Sequence, residues 1–121
     1  MNSKKVVLSV VGIVAGIIAV CVILSLLVGV PVLKKMKYNN ALSNAESGNY
    51  VTALSELSGE SMDDYKDVKI KRQEYALEAA KKYIKDKDIG NAILYIGYAI
   101  EINAKENITK EAKKLYDRIT E

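Results

Sequence analysis

Few side chains in this chain of 121 residues could perform acid–base or nucleophilic chemistry. There is no histidine, which removes the most common general base and metal ligand. Two acidic pairs, Asp63–Asp64 and Asp86–Asp88, are of the type that general acid–base catalysis uses. They lie among alternating charges in a helical sequence, where such pairs usually form solvated turns and helix caps. We therefore assign no catalytic residue to them.

The single cysteine, Cys21, lies inside an apolar run and cannot form an intramolecular disulfide. A lipid-modified cysteine fits poorly, because Val20 stands where a small residue is expected and a long apolar stretch follows. We interpret Cys21 as a small residue that faces lipid or another helix. The rest of the chain has no cysteine, no phosphate-binding loop and no dinucleotide fingerprint. The sequence thus predicts a protein that is not an enzyme and binds no metal or cofactor.

Residues 6–33 contain no charged side chain, and about 20 apolar residues suffice to cross a bilayer as a helix. A cleaved signal peptide has a shorter apolar core of about 7–15 residues. This run is longer and ends at the basic sequence LKKMK. We predict a short tail at 1–5, an uncleaved transmembrane helix over 6–33 and a basic juxtamembrane segment at 34–37, with the lipid bilayer as a partner.

Gly12 and Gly16 lie four residues apart on one face of this predicted span. Small residues at that spacing let two membrane helices approach closely, which would give a homo-oligomer. The alternative is that glycine is simply common in membrane helices. Basic residues flank both ends of the span, so charge alone does not decide its orientation.

The remaining part of the chain is nearly neutral, with 13 basic and 15 acidic residues from residue 38 onward (13 − 15 = −2). A protein that binds nucleic acid normally shows a basic face, so we predict no nucleic-acid partner. Alternating strand patterns are absent, and helix-forming residues dominate. Breaks at SGN, GES, DKDIG and NAKEN predict five helices joined by tight turns, and such chains form antiparallel hairpins. The third helix is predicted over 62–85 with Ser61 or Asp63 as its cap, and Thr109 is predicted to cap the last.

Two segments of the chain repeat. The sequences SGNYVTALSELSG and DKDIGNAILYIGYA align at an offset of 39 residues, which pairs Tyr50 with Ile89 and Leu57 with Ile96. Internal repeats with periods of 20–50 residues indicate stacked supersecondary units. The small residues Ala53 and Ala92 correspond in the two units, where a second helix could approach closely.

These residues resemble the tetratricopeptide repeat, and the resemblance covers residues 36–106. The matching positions are Ala41, Gly48, Tyr50, Ala53 and Leu57 in the first unit, and Ala79, Ala80, Tyr83, Asp88, Ile89, Ala92, Ile96, Ala99 and Ile102 in the second. Lys87 departs from the pattern at the turn, where the family has glycine. The offset of 39 also exceeds the family's usual period of about 34 residues. The composition is similar to that of membrane-anchored repeat proteins of low-GC Gram-positive bacteria.

The resemblance implies an all-α fold: a single N-terminal transmembrane helix, then a small TPR-like domain of antiparallel helical hairpins over 38–121. Its units would cover about 36–67 and 73–106, with a capping helix at 107–121. In this family the first helices line a concave side that binds partners, which here predicts a groove at Tyr38, Leu42, Leu77, Lys81, Ile84 and Lys85. The alternative is that these residues only pack between repeats or form a solvated rim. Residues predicted to pack the repeats are Tyr50, Ala53, Leu57, Ala92, Ile96 and Ala99.

The sequence therefore favours a single-pass, membrane-anchored module that binds an unidentified protein partner. The resemblance favours a position for the repeats on the extracytoplasmic side. A structural subunit that assembles through the transmembrane helix, or an accessory to a lipid or cell-wall enzyme, remains an alternative. The eight tyrosines are the only aromatic residues, since the chain has no Phe, Trp or His. By helical phase, we predict Tyr50, Tyr75, Tyr83 and Tyr116 to be buried, and Tyr38, Tyr65, Tyr95 and Tyr98 to be partly exposed.

Overall fold

The computed structural model describes residues 31–121, and within them the chain forms only helices and turns. Helix α1 covers residues 31–46, α2 is Tyr50–Glu56, a short 3₁₀ helix is Glu60–Met62, α3 is Val68–Lys85, α4 is Ile89–Ile102 and α5 is Glu106–Ile119. The prediction of an all-α fold is thus confirmed for this part of the chain. These helices belong mainly to the compact unit Met36–Glu121.

Most of the predicted membrane span lies outside the described residues. This is true of Gly12 and Gly16, of Cys21, and of the predicted span as far as residue 30. Across residues 31–121, no helix has both the length and the apolar character needed to cross a bilayer. The transmembrane helix at 6–33 therefore stays a prediction.

Helix α3 is the central element, and it packs against α2, α4 and α5. Gln73 near its start contacts Ala99 near the end of α4, and Tyr83 near its end stacks on Tyr95. Helices α3 and α4 are therefore antiparallel. Buried apolar residues form two clusters along α3. The first cluster is Tyr38, Ala41, Ala53, Leu57, Met62, Val68 and Tyr75, and the second is Ala76, Leu77, Ala80, Ile96, Ala99, Ala112 and Leu115.

The turns after α1 and α3 have the same hydrogen bonds, shifted by the 39 residues of the sequence repeat. Gly48 N–H donates to the Ala45 carbonyl and Asn49 N–H to Asn44, at 3.0 and 2.8 Å. The equivalent bonds in the second turn join Lys87 to Ile84 and Asp88 to Tyr83, at 3.0 and 2.8 Å. This pair of bonds is the Schellman motif, which requires a left-handed residue after the helix. Gly48 has φ +81° and Lys87 has φ +62°, so both turns meet that requirement.

Replacing Lys87 by glycine is expected to stabilise the unit, because a left-handed conformation costs a residue with a Cβ about 1–2 kcal/mol. Glycine loses more backbone entropy on folding, so we expect a net gain of roughly 0.5–1 kcal/mol. The reverse exchange, Gly48→Lys in the other turn, should destabilise the unit by a similar amount. Thermal unfolding followed by tyrosine circular dichroism measures both changes. If the unfolding temperature shifted in the same direction in both variants, the two turns would not be equivalent Schellman motifs.

Helix α3 begins later than predicted, at Val68 instead of residue 62, and this part of the prediction is wrong. Lys66 interrupts an α-helix before Val68, because its φ of +45° is left-handed. The guanidinium of Arg72 also ties the preceding loop to α3. It donates to the carbonyls of Leu57 and Gly59, both at 2.7 Å, and to the carboxylate of Asp63. Ser61 or Asp63 was expected to cap α3, but Asp67 occupies the cap position, and Asp63 pairs with Arg72.

The predicted cap of the last helix is also wrong. Helix α5 begins at Glu106 after Lys105, so Thr109 lies within its first turns. The Thr109 hydroxyl is buried and lies 2.8 Å from the Asn103 side-chain oxygen. It also accepts a hydrogen bond from Gln73, so it serves the contact between α3 and α5.

Candidate interaction groove

An open groove of about 460 Å³ runs between α1 and α3. Leu42 and Ala45 line it from α1, Tyr50 lines it from the start of α2, and Tyr75 lines it from α3. The two rings are 6.3 Å apart between centroids and tilted by 40°. Tyr75 is only 6% exposed, so it forms part of the floor. The groove thus has an apolar base.

The positions of these residues follow from helical periodicity. Leu42 and Ala45 are three residues apart on α1, so they share a face of that helix. Tyr50 is the first residue of α2 and is placed by the turn at Gly48. Tyr75 lies on the buried stripe of α3. Helical phase and one tight turn are therefore enough to bring the apolar residues together.

Three carboxylates, Glu46, Glu74 and Glu78, and one ammonium group, Lys71, form the polar part of the lining. Lys71 pairs with Glu74 at 3.4 Å, and the neighbouring Lys81 pairs with Glu78 at 3.2 Å. Pairs exposed to solvent contribute little stability, typically below about 1 kcal/mol, so they can exchange with other partners. The lining as a whole carries more negative than positive charge.

The pKa of Tyr75 is raised first by burial and then by nearby carboxylates. Burial is the main cause that raises the pKa of its hydroxyl above the ordinary value, and the carboxylates of Glu74, Asp67 and Glu46 raise it further. Nearby negative charge disfavours the phenolate, and the same field favours a cation. The groove is therefore suited to a positively charged group next to an apolar one.

A polar contact links α1 to the start of α3. The Tyr38 hydroxyl donates to the Asp67 carboxylate at 2.6 Å, and this hydrogen bond, with burial, raises the pKa of Tyr38 to about 12. Tyr65 packs edge-on against Tyr38 at 5.5 Å, and the Lys66 ammonium lies 5.0 Å from the Tyr38 ring centre. These contacts fix α1 against the loop that precedes α3.

The six residues of the predicted groove do not share one surface. Tyr38 and Leu77 are 8% and 3% exposed, so neither side chain offers surface to a partner. Leu42 lines the observed groove, whereas Ile84 packs against the second cluster. Lys81 is held by Glu78 and by Glu111, at 3.2 and 2.7 Å, and Lys85 is exposed at the end of α3.

The residues predicted to pack the repeats are largely buried. Ala53, Leu57, Ala92, Ile96 and Ala99 have no exposed surface, and Tyr50 is partly buried. The small alanine side chains stand at helix contacts, where they let helix axes approach closely.

Two of the tyrosine predictions are wrong, and the predicted burial of Tyr50 and Tyr83 is only partial. Tyr38 was expected to be partly exposed but is buried, and Tyr116 was expected to be buried but is 42% exposed. Helix α5 buries a narrow stripe that includes Ala112 and Leu115, and Tyr116 lies one residue beyond Leu115, about 100° around the helix. Tyr38 is covered instead by the loop of Tyr65 and Asp67, which the sequence suggested would be helical.

The acidic residues of the groove were not singled out from the sequence. Glu74 and Glu78 are four residues apart and share a face of α3, which was a readable signal. Their proximity to Glu46 arises only from the packing of α1 beside α3. Gln73 was also missed, although it is fully buried and joins α3, α4 and α5.

A second groove, of about 440 Å³, lies between α2 and α4. Its lining includes Val51, Leu54, Tyr98 and the single charged residue Arg72. The guanidinium of Arg72 is already used by Leu57, Gly59 and Asp63, so this groove offers no free charge to orient a ligand.

Within residues 31–121, no three or more acidic, cysteine or histidine residues are grouped closely enough to hold a metal ion. No protein-family model, no curated protein and no solved structure matches the chain. The groove and its chemistry are thus the basis for an assignment of function.

Proposed function

We propose that this chain is a membrane-anchored protein–protein interaction module without catalytic activity. In this proposal, residues 6–33 span the bilayer once and TPR-like hairpins bind a partner beside the membrane, on the extracytoplasmic side. The observation that carries the proposal is the groove between α1 and α3, which combines an apolar floor with an excess of carboxylates. Protease treatment of intact cells tests the orientation, since repeats on the outer side would be cut before lysis.

The groove fits an extended segment of a partner protein that carries a basic residue next to a leucine or an aromatic residue. An apolar side chain would contact Leu42, Ala45 and Tyr50, which line the groove and are more exposed than the buried Tyr75. A lysine or arginine beside it would lie near Glu46 and Glu74. Burial of the apolar side chain would supply most of the affinity, and the charges would select the partner.

The test is the binding of fluorescent peptides that combine arginine or lysine with leucine or tyrosine. The full chain is placed in phosphatidylcholine nanodiscs, whose neutral lipid does not attract basic peptides, and binding is measured by fluorescence anisotropy. We expect the double variant Glu46→Lys/Glu74→Lys to weaken binding by about tenfold or more, because like charges then face the ligand. Added salt should weaken binding to the unaltered chain.

The matched control is Glu106→Lys/Asp117→Lys, which makes the same charge change on α5, at exposed positions outside the groove. Tyrosine circular dichroism shows whether each variant remains folded. Equal loss of binding in both double variants would mean that only net charge matters. That result, or the absence of binding by any basic peptide, would refute the proposed groove function.

A further inference from the structure

Helix α4 carries an apolar face that the rest of the described chain leaves partly exposed, with its large side chains 37–46% exposed. Its members are exposed and form two parallel rows in which residues recur every fourth position. The rows are Ile89, Ile93 and Gly97, and Gly90, Leu94 and Tyr98. Rows of this spacing are the ridges by which two helices most often interdigitate. We refer to these six residues as the α4 face.

The α4 face is also free of charge. No charged residue occurs between Asp88 and Glu101, whereas α5, of the same length, carries seven charged residues in its sequence. A helix face that meets water normally carries polar or charged residues. An uncharged face can meet an identical face without repulsion between like charges, which distinguishes it from the acidic groove.

No close packing contact inside the unit accounts for the two glycines of the α4 face. Each lies within a helix, where glycine costs about 1 kcal/mol relative to alanine. A Cβ built at Gly90 or Gly97 would meet no atom within 4 Å, so no neighbour in the unit requires glycine there. Glycine on an outer helix face does allow another helix to approach closely. The glycines are an observation separate from the exposed apolar side chains. They indicate that the partner on the α4 face is another helix.

The α4 face is symmetric about the midpoint between Ile93 and Leu94. Reversal of the helix about this point exchanges Gly90 with Gly97, and Ile89 with Tyr98, so that glycine replaces glycine and a large residue replaces a large residue. A two-fold interface requires such a self-complementary patch, because each residue i that contacts j is matched by a j that contacts i.

We infer that the α4 face binds the α4 face of a second copy of this chain, with the two helices antiparallel. Ile93 of each copy then lies against Leu94 of the other at the centre, and the glycines at both ends let the backbones approach. The interface uses none of the residues that line the groove between α1 and α3, because none of them belongs to α4.

Cysteine cross-linking of the full chain tests this interface. Cys21 is first replaced by serine, and Leu94→Cys is introduced near the proposed two-fold axis. The control is Tyr116→Cys, a position of similar exposure on α5. In phosphatidylcholine vesicles under mild oxidation, we expect a disulfide-linked dimer from Leu94→Cys, with at least about tenfold less from Tyr116→Cys, since a disulfide needs Cα atoms within about 7 Å.

A second variant checks that the apolar face itself causes the contact. Adding Ile93→Lys to the Leu94→Cys chain should reduce the dimer by about tenfold or more, because it places two like charges at the centre of the interface. Ile93 is exposed, so this change leaves the fold intact, which tyrosine circular dichroism verifies.

Three outcomes would overturn the inference. Equal cross-linking at both positions would show random collision or association elsewhere, including through Gly12 and Gly16. No dimer from Leu94→Cys would show that a second copy does not cover the face. In the third, a fluorophore is attached to the cysteine of the Leu94→Cys variant in chains that have not dimerised. Quenching of its fluorescence by brominated lipid would identify the bilayer as the occupant of the α4 face.

Discussion

Replacement of Gln73 by leucine is expected to destabilise the helical unit by about 2–4 kcal/mol, although leucine is apolar and similar in size. Gln73 is fully buried, yet its amide makes three hydrogen bonds. Its nitrogen donates to the Ala99 carbonyl at 2.9 Å and to the Thr109 hydroxyl at 2.7 Å. Its oxygen accepts from the Lys105 backbone N–H at 2.8 Å.

The cost arises from the groups that Gln73 leaves behind. Lys105 precedes α5 and Ala99 lies in the last turn of α4, so one side chain serves the end of one helix and the start of the next. Removing one partner from a buried polar group costs about 1–3 kcal/mol for that group, whereas removing both partners can be nearly neutral. Gln73→Leu removes one side of all three bonds.

Thermal unfolding of the full chain measures this effect. All eight tyrosines lie between residues 38 and 116, so near-ultraviolet circular dichroism of tyrosine reports on the helical unit and not on the N-terminal apolar run. For Gln73→Leu, we expect the midpoint temperature of unfolding to fall by roughly 10 °C or more. Lys69→Ala, at an exposed position of α3, is the control and should shift it little. A similar small shift for Gln73→Leu would show that the network does not hold the helices together.

Helix breaks were readable from the sequence because their causes are local. Gly48 ends α1 through its own backbone conformation, and the Asp88 side chain accepts a hydrogen bond from the Asn91 N–H at the start of α4. Ala53 and Ala92 are buried at equivalent places because a period of 3.6 residues fixes which side of a helix faces inward. Local rules therefore account for the all-α class and for most helix bounds.

Long-range polar contacts were not readable. The partners of Gln73 lie 26 to 36 residues away, and a glutamine within a helical sequence suggests solvent exposure. The contacts of Arg72 have the same character, since its partners Leu57 and Gly59 lie 15 and 13 residues away. Burial of a polar group depends on partners that only the tertiary fold supplies.

The candidate groove was predictable only in part, for a related reason. The resemblance pointed to the first helix of each unit, and Leu42 does line the groove. The acidic residues were interpreted as part of a surface on which positive and negative charges alternate. A sequence does not show which charges from different helices become neighbours. The packing of α1 beside α3 brings Glu46 close to Glu74, and this gives the groove its excess of negative charge.

Ile96→Ala is expected to destabilise the helical unit at least as much as Gln73→Leu. The expected loss in the free energy of unfolding is about 3–5 kcal/mol, at the upper end for such truncations. Ile96 of α4 is fully buried, in a cluster with residues of α3 and α5. The cost of a cavity depends on how well its neighbours collapse into it. Around Ile96 these include Ala76, Ala80 and Ala99, whose side chains have no rotatable group that could fill the space.

The same helix provides the control, because Ile93 lies three residues earlier and is 37% exposed. Ile93→Ala deletes the same atoms and should cost less than about 1 kcal/mol in the monomer, since it opens no cavity. Ile96→Val should fall between them, at about 0.5–1.5 kcal/mol. Chemical denaturation of the three variants, followed by tyrosine circular dichroism, measures the order. Equal losses for Ile93→Ala and Ile96→Ala would mean that α4 does not present Ile96 to α3, and the antiparallel pairing of these helices would then be wrong.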